Sequence, residues 1–179
     1  MSALVRAFAG ALRALPPLQD LRGVSLAPAF QPLLGPYDRA AERTIVHLLR
    51  PLMPTDRQEQ DHFFAPYLGG VGRKTAGHYD RLCKELRRTL VYGNTNSPIG
   101  LLRDCYSLAL EKPEGLGGVL AAVQEAFALP GAAKMAERLK DTYAFRNAHV
   151  AHGGKDVTDS ETARTQFLRW VETMALLGA

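Results

Sequence analysis

Cysteine is scarce in this chain. Its 179 residues hold only Cys83 and Cys105, both inside helical patterns and not spaced as metal ligands. A disulfide-stapled scaffold is therefore not expected, and a reduced, cytoplasmic setting is. Long apolar runs are missing as well. The best candidate, GLGGVLAAVQEAFAL from Gly115, carries Gln124 and Glu125 in its middle, so neither a bilayer-spanning helix nor a membrane partner is expected. Near the start, only six small or apolar residues separate Arg6 from Arg13, too few for the apolar region of a secretory signal. Strand-like alternation and internal repeats are also absent, which leaves an all-α class. Charge of one sign is not in large excess. A net charge of +4 and a pI near 9.2 permit a polyanionic partner without requiring one.

What is present is helical periodicity interrupted by proline and glycine. Leu4, Phe8, Leu12 and Leu15 fall on one face of an N-terminal amphipathic segment, with Arg6 and Arg13 opposite. Pro16, Pro17, Pro28, Pro32 and Pro36 then predict an irregular arm, so residues 1–36 read as an extension to a domain spanning 37–179. From Tyr37 the pattern is helical, lined by Ala40, Ile45, Leu48 and Leu49, and it stops at Pro51 and Pro54. Thr55 and Gln58 read as a capping box for a short helix toward Phe64. After a glycine-rich break at residues 68–72, a helix over Thr75–Tyr92 buries Tyr79, Leu82, Leu86 and Leu90. Ser97 and Pro98 open the next helix, which ends before Pro113. Further helices are expected over Gly115–Leu129, from Ala132 to about His149, and over Ser160–Leu177, the last opened by Thr158 and Glu161. The architecture predicted is a bundle of four or five main helices after a Pro-rich arm.

Two motifs invite chemistry that their spacing does not sustain. GGVGRKTAG, Gly69 to Gly77, resembles a phosphate loop, but Lys74 follows Arg73 rather than glycine and no strand precedes it. His149 and His152 sit three residues apart. Two ligands do not make a metal site, and no carboxylate or cysteine at useful spacing completes one. No metal or other cofactor is expected. Arg73, Lys74, Arg81, Lys84, Arg87 and Arg88 form a basic face able to track a nucleic-acid backbone, or simply a solvated helix surface.

The most informative stretch is RNAHVAHGG, Arg146 to Gly154. On a helical wheel Met135, Leu139, Tyr143 and Val150 form an apolar stripe with Arg146 in its middle. An arginine there needs an anionic partner or a cleft, because an unpaired buried guanidinium is costly. Glu137 or Asp141 would serve as a local partner, leaving His149 and His152 merely to favour a helix C-terminus. Otherwise this helix end presents a fixed cation beside histidine, whose ordinary range lies near neutrality.

At Arg146-Asn147 followed by His152, with five residues between Arg146 and His152, the chain resembles the HEPN superfamily of small helical-bundle domains. Their signature is an arginine, a polar residue and a histidine near the end of a long helix. The resemblance implies metal-independent cleavage of single-stranded RNA, in antiviral defence or a toxin–antitoxin pair. Arg146 would stabilise the charged phosphorane, His152 would carry the proton, Asn147 would orient them, and His149 would be an accessory. It further implies a homodimer in which two copies of the motif face each other. Gly153 follows His152, so the His-x-Tyr ending of some HEPN toxins is missing. More loosely, RNAHVAHGGKDVTDSETA and then Trp170 resemble the C-terminal helical region of some bacterial helicase or restriction-type defence proteins. That likeness implies a non-catalytic module binding nucleic acid or a helicase-like partner. A monomer in solution with Arg146 buried in an intrachain ion pair would overturn the ribonuclease reading.

Overall fold

The computed structural model describes residues 25–65, 73–151 and 155–178. Among them the chain is helical and contains no strand. Seven α-helices are present, more than the four or five expected: α1 (Gln31–Leu49), α2 (Arg57–Phe64), α3 (Arg73–Tyr92), α4 (Pro98–Glu111), α5 (Gly118–Ala126), α6 (Ala132–Phe145) and α7 (Ser160–Gly178). Short 3-10 turns cover Ala27–Phe30 and Arg50–Leu52, and a π segment covers Arg146–Ala151. The N-terminal amphipathic segment and Pro16 and Pro17 lie outside the described residues.

The irregular arm expected up to Pro36 is helical from Ala27 onward. The reason is placement. Pro28 and Pro32 each fall in a first turn, where the missing N–H has no intrahelical partner to lose, and only Pro36 lies inside α1. The residues one position on, Leu33, Tyr37, Ala41, Ile45 and Leu49, form a fully buried line at spacing four.

Contacts divide the chain into two units, one of residues 1–41 with 137–179 and one of 42–136. In the second, α4 packs on α5, and both α2 and α3 contact α5. The expected face of α3 is buried, with Cys83 and Thr89 added to Tyr79, Leu82, Leu86 and Leu90. Burial raises the Cys83 thiol to about 11 and pushes that of Cys105 higher still, so both free cysteines are inert core residues. The approach of α2 to α5 depends on Gly118. Its φ is +57°, and a Cβ there would stand 2.3 Å from the Phe63 carbonyl oxygen. Asp56, not Thr55, caps α2, its Oδ1 accepting from the backbone N–H of Gln58 (2.8 Å) and Glu59 (3.0 Å). A carboxylate beside a hydroxyl is the stronger acceptor for two N–H groups.

The first unit is built on aromatics. Trp170, fully buried, meets Phe30, Tyr37 and Phe145 with centroid distances of 5.3, 5.3 and 6.3 Å. Phe30 also lies 4.8 Å from Phe145. Beneath them the Tyr37 hydroxyl meets Thr142 Oγ1 at 2.6 Å, and Thr142 in turn donates to the Arg138 carbonyl at 2.8 Å. Tyr37 is therefore the donor in that pair. Burial, only partly offset by Thr142 and Thr173, pushes its phenol up to about 12. Two ion pairs, Arg138–Glu172 and Arg169–Asp141, tie α6 to α7. Asp159, not Thr158, caps α7, accepting from the Thr162 hydroxyl and from the Thr162 backbone N–H at 2.8 Å, and these contacts, the hydroxyl foremost, lower its carboxyl below the usual range.

Candidate functional site

The long helix expected to reach His149 stops as an α-helix at Phe145 and continues as a wider π turn through Ala151. Spacing of the buried residues accounts for the change. Phe145 and Val150, five apart, are both buried, yet in an α-helix they would point about 140° from each other. Bonds of i→i+5 type bring such a pair toward one side. The buried side of α6 is thus Leu139, Thr142 and Phe145, while Met135 and Tyr143 are only half-buried. Arg146 stands at the edge of that side, the first residue of the π turn.

Neighbouring segments hold the turn in place. The Ala27–Phe30 turn packs against it. The Gln31 side-chain amide donates to the Val150 carbonyl at 2.9 Å, and the Leu26 N–H donates to the Val157 carbonyl at 2.7 Å. Nothing local marks Gln31 for this role, since its partner is remote along the chain.

Arg146 exposes 16% of its side chain. Its Nη1 donates to Asn147 Oδ1 at 3.2 Å, a contact between chain neighbours. Its anionic partner is Asp38 on α1, with Nη2 standing 3.6 Å from Oδ2. That is an ion pair beyond hydrogen-bond length. The expected local partners are not used: Asp141 pairs with Arg169 instead. Nε of Arg146 is buried without a hydrogen-bond partner among the described residues. A guanidinium has five donors in a fixed fork, and here the fork is mostly out of water and incompletely satisfied.

His149 lies 4.8 Å, centroid to centroid, from the Phe145 ring, and its Nδ1 is 2.9 Å from the Lys155 carbonyl. A carbonyl only accepts, so Nδ1 is the donor in this contact. His152 lies outside the described residues. Among the described residues no group of three or more His, Cys, Asp or Glu side chains is arranged to hold a metal ion.

The basic face of α3 is engaged with carboxylates. Lys84 pairs with Asp80 at 2.7 Å, Arg88 with Glu85 at 3.0 Å, and Arg87 with Asp61 of α2. Asn96 also donates to Glu85. Arg81 is exposed, Arg73 and Lys74 open the helix with side chains outside the described set, and residues 69–72 of the glycine-rich loop lie outside it too. Among the described residues no helix is long and apolar enough to cross a membrane.

One site residue escaped sequence reasoning. Asp38 sits next to Arg39 in an ordinary amphipathic pattern, and nothing local marks it as the counter-ion of an arginine far along the chain. Set against known protein families, curated proteins and solved structures, the chain matches none of them.

Proposed function

We propose that the chain is a HEPN-type, metal-independent endoribonuclease that cuts single-stranded RNA as a homodimer, in antiviral defence or a toxin–antitoxin pair. The observation that carries this reading is the Arg146 guanidinium, mostly withdrawn from water with donors unsatisfied and Asn147 beside it. Such a fork accepts phosphate oxygens in pairs. In the reaction the RNA 2′-oxygen attacks the adjacent phosphorus and the P–O5′ bond breaks. The 2′-hydroxyl proton leaves and a proton is delivered to O5′, giving a cyclic phosphate and a free 5′-hydroxyl. Arg146 would stabilise the charge on the phosphorane and His152 would move the proton, with Asn147 orienting the guanidinium.

The Asp38 contact favours a second reading, a non-catalytic module that binds nucleic acid or a helicase-like partner, because a counter-ion already attends Arg146. Incubating the purified protein with single-stranded RNA in EDTA separates the two. Cleavage that leaves cyclic phosphate ends, lost in both Arg146→Ala and His152→Ala, is the expected result. Salt-dependent binding with intact RNA would establish the second reading in its place.

A further inference from the structure

We infer that Asp38 is a further residue of this site, the resident anion that an RNA phosphate displaces from Arg146. The inference rests on the proposed RNA-binding role of Arg146. Asp38 lies on α1 and Arg146 at the start of the π turn, so helices far apart in sequence supply the pair. Both side chains are mostly buried, 27% and 16% exposed, where charge interactions are stronger than at an open surface. Yet the pair is loose. Oδ2 stands 3.6 Å from Nη2, and the buried Nε has no partner among the described residues.

This geometry has a direction. A structural ion pair gains from a closed, bidentate fit, as arginine and carboxylate readily form. Here the carboxylate offsets the guanidinium charge without taking a hydrogen bond from it, and the buried Nε is left without a partner among the described residues. A phosphodiester carries the same single charge on two oxygens and can take up the unused donors. Binding is then an exchange of carboxylate for phosphate. Asp38 opposes it by repelling the incoming anion, and in the free protein it keeps Arg146 from standing uncompensated. Asp38 is a positioning residue, acting through Arg146 rather than on the RNA.

The test measures binding by fluorescence anisotropy at fixed salt, using a single-stranded oligoribonucleotide methylated at every 2′-oxygen so that it cannot be cut. Asp38→Asn is expected to tighten binding about tenfold, within the usual range of coupling between sites. Asp38→Glu, long enough to close the gap to Arg146, is expected to weaken it about threefold. On an Arg146→Ala background neither change alters affinity, because the effect passes through the guanidinium. Unchanged or weaker binding by a folded Asp38→Asn protein overturns the inference. So does a gain that persists without Arg146. Should Asp38→Asn not fold, Asp38→Glu decides, and unchanged affinity there overturns the exchange. If Asp38→Asn tightens binding but the wild type never cuts unmodified RNA, the exchange stands and the ribonuclease reading falls. Absence of binding by both proteins overturns both.

Discussion

The α3 face of the second unit and the π turn of the first handle charge in opposite ways. On α3 of the second unit, Lys84, Arg87 and Arg88 each meet a carboxylate within hydrogen-bond reach, Lys84 and Arg88 exposed and Arg87 half-buried. Exposed pairs of this kind contribute little and are readily exchanged with water and salt. In the first unit Arg146 is mostly buried, its carboxylate stands beyond hydrogen-bond length, and a buried donor is left over. An abundance of cations on one helix face is thus a weaker sign of chemistry than one arginine placed where its donors cannot all be met. A native interior satisfies most of its polar groups, so a buried cation left incompletely satisfied is a place to seek a ligand.

Substitutions can break this contrast or sharpen it. Arg146→Ala should reduce RNA cleavage on the order of 10²- to 10³-fold, the usual cost of removing one donor to a developing oxyanion, with the circular dichroism spectrum unchanged. A loss under threefold would erase the distinction between the units. Gly118→Ala should strike fold rather than function. A left-handed backbone and a Cβ within 2.3 Å of the Phe63 carbonyl should cost about 3 kcal/mol in chemical denaturation. Wild-type stability would mean that α2 and α5 can part freely.

The third effect is on pH. The Tyr37 phenol is raised by burial from its ordinary 10.0 to about 12. The folded state therefore holds the proton more tightly than the unfolded chain. That contribution is complete below pH 10 and is lost as pH rises toward 12. Urea midpoints taken from pH 8 to 11 should fall for the wild type and flatten for Tyr37→Phe. An equal fall in both proteins would place the alkaline sensitivity elsewhere. The smallest effect belongs to α3, where Lys84→Ala and Arg88→Ala should each change stability by less than about 0.5 kcal/mol and leave cleavage within twofold. A tenfold drop from either would move the site to that helix.

How far the sequence could be read follows from the range of the forces involved. The face of α3 was legible because Tyr79, Leu82, Leu86 and Leu90 repeat at helical spacing, and a local pattern decides which side faces inward. Caps were legible to within a residue. Thr55 and Thr158 each precede an aspartate, and the carboxylate took the backbone N–H groups. Proline density points to an irregular arm, but position decides for Pro28 and Pro32, because a first turn tolerates what a helix interior does not. Arg146, Asn147 and His149 are legible as a group because they lie within four residues of chain. Asp38 and Gln31 were not, since tertiary packing alone brings them to the π turn. The π turn itself has no composition signature, and its cause, two apolar residues five apart, is visible only once both are known to be buried.

Trp170 gives the molecule a built-in optical reporter. It is the single tryptophan of the chain, and the rings around it, Phe30, Tyr37 and Phe145, all belong to the unit that holds Arg146. Its emission therefore reports on the packing of that unit. Fluorescence and helical signal recorded on one sample would tell whether the two halves melt together or in turn, with no label added.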